Sequence, residues 1–298
     1  MKVSNPDKVI FDDAGLTKAD LVGHYELVAR RLLDFAAGRP LTLQRFPNGI
    51  SGKGFMQKNA SNHFPDTIAR YEVPKQGGGT TLYPVVDRED DIAYLANQGT
   101  VTFHMWTSSA ARPDKPDWLI IDLDPDDGDA AGARRALANV AALVEELGLS
   151  GFPLATGANG FHLWIPLDGS LTIDEASLVS RAIAGLAAVR HPDQMTIEFL
   201  KKNRHGRVFV DWLRNGPTAT VVVPFSLRPR QTASAAVPLR WDEIDQASPD
   251  GWPLGRLDDR LDIDTDLEAR AVPVVAIVEQ ARTEGVDLDT PFDRFGRR

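Results

Sequence analysis

The segment Trp118-Leu119-Ile120-Ile121-Asp122-Leu123-Asp124-Pro125 constrains this chain more than any other. An apolar run closed by proline reads as a buried strand. Residues two apart on a strand share a face, so the carboxylates of Asp122 and Asp124 leave the sheet together. Two like charges held that close are costly without a counter-charge, and a bound divalent cation is the usual remedy. A second apolar strand over 207–213 carries one carboxylate, Asp211. Three strand-borne carboxylates suit a site for two metals assisting phosphoryl chemistry. The alternative is that Asp122 and Asp124 only open a turn at Asp124-Pro125-Asp126-Asp127-Gly128. The pair by itself leaves both readings open.

The rest of the chain supplies a mixed frame for that strand. Strands are expected over 8–11, 41–46, 101–106, 152–156 and 161–166, with a hairpin joining 68–74 to 80–86 through Gln76-Gly77-Gly78-Gly79. Helices are expected from an N-cap at Thr17 to about 37, over 90–96 and 132–147, over 174–189 capped by Asp174, and near 267–282. Strands alternating with helices, interrupted by hairpins, predict an α/β fold with a mixed sheet rather than a purely parallel one. The 298 residues read as a single domain: an N-terminal part over about 1–90, a core over 91–240 and a C-terminal tail over 241–298. With no cysteine, disulfides, thiolate metal sites and cysteine nucleophiles are excluded. No apolar run approaches the ~20 residues that span a bilayer. The N-terminus lacks the apolar core of a signal peptide, so no membrane partner is expected and the chain is placed in the cytoplasm. A net charge of −9 argues against indiscriminate coating of nucleic acid, though not against a local basic groove.

Three further features could carry chemistry. In Thr156-Gly157-Ala158-Asn159-Gly160-Phe161-His162, two glycines three apart permit a tight turn whose N–H groups can converge on a phosphate, with a hydroxyl and an imidazole beside it. An ordinary glycine hairpin is the alternative. His104 ends a strand, where it is either structural or a ligand or proton-transfer partner of the carboxylates. The cations are patterned: Lys8 and Lys18 flank the first strand and turn, and Arg45, Lys53 and Lys58 surround Phe55 and Met56. Solvated faces explain such clusters, and so does phosphate tracking with base stacking.

Taken in order, these stretches resemble the polymerase domain of bacterial ligase D, of the archaeo-eukaryotic primase superfamily. The resemblance spans about 3–241 and includes Arg45-Phe46-Pro47-Asn48-Gly49, Phe55-Met56-Gln57-Lys58 and Pro224-Phe225-Ser226-Leu227-Arg228. It implies an N-terminal α/β module and an RRM-like catalytic module with the active site between them. It also implies Asp122, Asp124 and Asp211 as ligands of two divalent ions, Mn²⁺ or Mg²⁺, with His104 required for activity. Thr156, Gly157, Asn159, Gly160, His162 and Arg228 would hold a nucleoside triphosphate. Asn5, Lys8 and Lys18 would grip a DNA 5′-phosphate, while Phe55 and Met56, with Arg45, Lys53 and Lys58 around them, would meet the duplex end.

Asn159 stands where many relatives carry Lys, Met56 replaces an aromatic residue, and Thr156 replaces Ser with its hydroxyl kept. The implied activity is template-dependent nucleotidyl transfer by a monomer associated with the bacterial nucleoid. It fills short gaps or 3′-overhang junctions with NTP or dNTP during end joining or excision repair, favours ribonucleotides, and works with a separate DNA ligase and an end-binding protein. Thr220 is a candidate contact for the 2′-OH. A metal-dependent phosphodiesterase and a weakly catalytic end-binding module are the rival readings.

Overall fold

The computed structural model describes residues 2–75 and 77–291. Among them the chain runs β1 (Val9–Phe11), β2 (Leu16–Thr17), α1 (Lys18–Ala36), β3 (Leu41–Arg45), β4 (Phe55–Gln57), β5 (Ala69–Pro74) and β6 (Thr80–Val85). It continues through α2 (Glu89–Asn97), β7 (Thr100–Met105), β8 (Trp118–Asp124), α3 (Ala130–Glu146), β9 (Phe152–Ala155), β10 (Phe161–Pro166) and α4 (Ile173–Arg190). The last elements are β11 (Met195–Thr196), β12 (Val208–Asp211), β13 (Val221–Val222), β14 (Val237–Pro238) and α5 (Val274–Thr283). The fold is mixed α/β, as the alternation predicts. Gln76, at the tip of the expected hairpin, lies outside the described residues, as does 292–298 of the expected tail.

Two sheets position the site. The larger has the order β11-β12-β8-β10-β9-β14 and is antiparallel except for the β11–β12 pair; the smaller has the order β13-β7-β3-β4. Helices α3 and α4 pack on β8 and β12, and α5 packs on α4. The opposite face of the large sheet carries Trp118 and Trp164, whose rings meet Phe35 of α1 at 6.0 and 5.6 Å, with Phe152 beside them. Strand alternation puts Asp122, Asp124 and His162 on that same face. One face of the sheet is therefore an aromatic core at one end and polar at the other.

Helix starts follow local chemistry. Thr17 caps α1 in a box with Asp20, and Leu21, Tyr25, Val28, Leu32 and Phe35 are buried on one side. The expected cap of α4 is corrected: Thr172, not Asp174, is the N-cap, and its hydroxyl accepts from Glu175 N. Asp174 lies inside the first turn. The last helix is shorter than expected, beginning at Val274 after Pro273. A helix running through Pro273 would lose a backbone hydrogen bond and clash with the preceding turn. No helix among the described residues is long and apolar enough to cross a membrane.

Candidate active site

The central strand β8 is paired on both sides, and its register sets Asp211 of β12 and His162 of β10 opposite Asp122. Three polar side chains thus stand in a row across three strands. One Asp122 oxygen lies 3.4 Å from His162 Nε2 and the other 3.0 Å from Arg214 Nε. The same guanidinium reaches Asp211 at 3.2 Å. Trp164 Nε1 donates to His162 Nδ1 at 3.4 Å, which leaves Nε2 as the nitrogen facing Asp122.

Arg214 was not foreseen from the sequence. It is delivered by the turn after β12, where Asp211 accepts from Leu213 N at 2.8 Å. Asn215, fully buried, brackets Ile120: its side chain accepts from Ile120 N and donates to Ile120 O, both at 2.7 Å. The amide continues the ladder that β12 leaves after Asp211. The one local signal is a basic residue three positions after a strand-end carboxylate, close enough in a tight turn to fold back over it.

The charges are unevenly held. Burial alone would raise Asp122, but His162 and Arg214 outweigh it and hold its carboxyl well below the usual range. Asp122 in turn pushes Asp124 up to about 7, with burial adding to the effect. Burial, then Asp122, also raises Asp211. Arg214 is raised, chiefly by Asp122. Among the described residues no group of three His, Asp or Glu side chains stands close enough, as arranged, to hold a metal ion. The donor chemistry nonetheless fits a hard divalent cation: three carboxylates on adjacent strands share one arginine, and Asp124 resists ionising without further positive charge.

These groups open into a cavity of about 330 Å³. Of the residues singled out in the sequence it collects His104, Asp122, Asp124, Thr156, Asn159, His162, Thr220 and Arg228, and it adds Arg214 and Arg230. Asp211 joins through its pairing with Asp122 and its ion pair with Arg214. His104 comes from β7 of the smaller sheet, so the site is assembled between sheets. Burial, then Arg228 and Arg214, pushes His104 down to about 3, which leaves a neutral imidazole. His104 Nδ1 and Arg228 Nε are buried without a partner. Arg214, Arg228 and Arg230 line the cavity, and three guanidinium groups there suit an anionic ligand.

The two glycines of the 156–160 turn are needed for different reasons. Gly157 has φ +68°, and a Cβ there would sit 2.7 Å from the Ala235 carbonyl carbon. A Cβ on Gly160 would sit 2.0 Å from the Leu123 carbonyl oxygen, inside the strand that bears Asp122 and Asp124. The Thr156 hydroxyl donates to Gly160 O at 2.8 Å, and the Gly157 amide to Pro249 O at 2.8 Å. Both are committed within the protein, and Thr156, Asn159 and His162 are the turn's polar side chains lining the cavity.

The remaining expected residues form a second group, away from the cavity lining. Lys18 Nζ donates to Ser4 Oγ at 2.7 Å and Lys8 Nζ to Asn48 Oδ1 at 3.1 Å. Burial, then Lys8 and Arg45, pushes the Lys18 ammonium down. Among the described residues neither lysine has an acidic partner. Asn5 precedes them with φ +48°, and its carbonyl accepts from Lys8 N at 3.1 Å. Phe55 and Met56 are 46% and 49% exposed on edge strand β4, unusual for large apolar side chains. Arg45 stands 5.5 Å over the Phe55 ring and is tied to Gln57. Lys53 and Lys58 are exposed on either side.

A carboxylate row and flanking arginines between two sheets define a class of protein with a buried site of mixed charge. Comparison with known proteins gives that class its family. The family model of the LigD primase-polymerase domain matches residues 17–267. The multifunctional non-homologous end joining protein LigD of Mycolicibacterium smegmatis is 32% identical over 247 residues, 82% of this chain and 32% of the relative. Its namesake in Pseudomonas aeruginosa is 31% identical over 266 residues, 88% of this chain and 31% of the relative. The chain therefore spans about a third of the length of these curated relatives. The polymerase domain of Mycobacterium tuberculosis ligase D, solved in complex with DNA, superposes with a TM-score of 0.78 at 28% identity, covering 98% of this chain and 99% of that one. The chain belongs to the LigD primase-polymerase domain family.

Proposed function

We propose that this chain extends a primer 3′-OH across short gaps at DNA breaks, copying a template, in end joining or excision repair. The observation that carries the proposal is the Asp211–Asp122–His162 row beside a cavity that Asp122, Asp124 and His162 line together with His104, Arg214 and Arg228. Asp122, Asp124 and Asp211 would hold two divalent ions, Mn²⁺ or Mg²⁺, whose charge acidifies the 3′-OH and offsets that of the triphosphate. Arg214, now bonded to Asp122 and Asp211, would have to release them for ions to take its place there. Arg228, with Asn159 and His162, orients the triphosphate, and neutral His104 offers a hydrogen bond rather than a charge. Thr220, in the same cavity, is the proposed contact for a ribose 2′-OH and the source of a ribonucleotide preference.

Asn5, Lys8 and Lys18 would take the downstream 5′-phosphate, and Phe55 and Met56 the exposed base pair at the duplex end. A DNA ligase and an end-binding protein, acting with a monomer at the nucleoid, complete the proposed pathway. The test is extension of a labelled gapped duplex with each metal and nucleotide type. Wild type is expected to lengthen the primer, and Asp122→Asn to lose at least ~10²-fold in rate. Shortening without nucleotide would make the chain a phosphodiesterase. DNA binding with no incorporation would make it an end-binding module.

A further inference from the structure

The turn that delivers Arg228 to the cavity is held in a conformation its own residues resist. Ser226 N donates to Val223 O at 3.0 Å, with Pro224 and Phe225 between them. Phe225 has φ +69°. Proline followed by a positive φ is the pattern of a type II turn, where the second position ordinarily falls to Gly or Asn. A bulky aromatic in the left-handed region is strained and persists only where its surroundings over-determine it.

Helix α1 supplies much of that determination. His24 Nε2 donates to Phe225 O at 2.9 Å, and the Phe225 ring lies 6.5 Å from Phe35 and 5.6 Å from the Arg31 guanidinium carbon. Tyr25 does most. Its hydroxyl donates to Val101 O at 2.5 Å and accepts from Leu227 N at 3.1 Å. With its single proton so used, the Ser226 hydroxyl is the donor in the 3.1 Å bond between them. Ser226 Oγ accepts in turn from Phe103 N at 2.7 Å, and Thr102 Oγ donates to Leu227 O at 2.7 Å. Tyr25 and Ser226 are fully buried, so these bonds do not exchange with water. Burial keeps the Tyr25 phenol protonated and pushes His24 down to about 4, so both stay neutral. The next residue is Arg228, whose Nε has no partner in the protein.

We propose that Tyr25 is a positioning residue for nucleotide binding: from α1 it pins the strained 224–227 turn and so aims Arg228 into the cavity. The proposal rests on Arg228 as a contact of the triphosphate. Tyr25→Phe removes only the hydroxyl and is expected to raise the nucleotide KM about tenfold, the scale of one buried hydrogen bond, with kcat changed less than about twofold. Affinity for 5′-phosphorylated gapped DNA should stay at the wild-type value.

The deciding measurement is a double-mutant cycle with Arg228→Met, read as KM and as equilibrium nucleotide binding. If Tyr25 acts through Arg228, Tyr25→Phe adds nothing in the Arg228→Met background. A loss that adds in full there, or no loss from Tyr25→Phe while Arg228→Met binds poorly, would overturn the role of Tyr25 and leave that of Arg228 standing. Unchanged binding by Arg228→Met would overturn both. Should Tyr25→Phe not fold by its thermal transition, Ser226→Ala removes the side-chain partner of Tyr25 and is judged by the same cycle.

Discussion

At the residue scale the site stores charge that the fold does not want. Asp124 is pushed up to about 7 by Asp122 and by burial, from an ordinary value of 3.8. Between those two values the folded chain holds a proton that the unfolded chain releases. By linkage, the stability Asp124 contributes is present below 3.8 and is lost as pH rises through about 7. Asp124→Asn removes that dependence. In metal-free solution the variant should melt higher than wild type at pH 8, with the gap shrinking toward pH 5, while primer extension is lost. Equal or lower melting temperatures for the variant at pH 8, read by calorimetry, would contradict the assignment. A carboxylate kept at a cost to stability is the pattern expected of a functional site.

At the scale of elements, two positions separate local from tertiary causes. Thr172 closes a capping box on α4, while Asp174 only adds charge to the first turn. Thr172→Ala should cost about 1 kcal/mol in denaturant unfolding and Asp174→Ala a few tenths, whereas the reverse order would restore Asp174 as the cap. Gly160 answers to the neighbouring strand rather than to its own turn. An alanine methyl there meets the Leu123 carbonyl oxygen at 2.0 Å, and neither backbone can yield without parting β8 from β10. Gly160→Ala is expected to cost about 2–3 kcal/mol and to abolish extension, because Asp122 and His162 face each other across that pairing. A fully active, equally stable variant would show that the strands can separate there without harm.

For the whole molecule, a net charge of −9 leaves DNA affinity to local contacts. Lys8 and Lys18, with no acidic partner among the described residues, are the proposed contacts of a terminal phosphate. Gapped DNA bearing a 5′-phosphate should bind more tightly than its 5′-hydroxyl counterpart. Lys8→Ala with Lys18→Ala should erase that preference and make the salt slope shallower by about 0.9 for every phosphate the variant no longer neutralises. Extension on substrates without a downstream strand should continue. Fluorescence titration across salt concentrations checks this, and equal wild-type binding of the two duplexes would remove the 5′-phosphate role.

What the chain determines alone is whatever depends on near neighbours in sequence. The strand carrying Asp122 and Asp124, the glycine turn at 156–160 and the Thr17 cap are all written in short-range alternation and turn chemistry, and each forms where expected. The likeness to a family then assembled those pieces in order. Tertiary structure decided which of them meet. A one-residue slip of β12 or β10 would send Asp211 or His162 to the other face, so the row depends on pairing between strands tens of residues apart. Arg214 faces Asp122 from a turn that Asp211 closes through Leu213 N and that Asn215 anchors to Ile120. Phe225 holds φ +69° with its amide bonded to Ala236 O, and with α1, some 200 residues earlier, bonding its carbonyl and packing its ring. Such contacts have no local signature: long-range burial, not sequence spacing, brings the groups together.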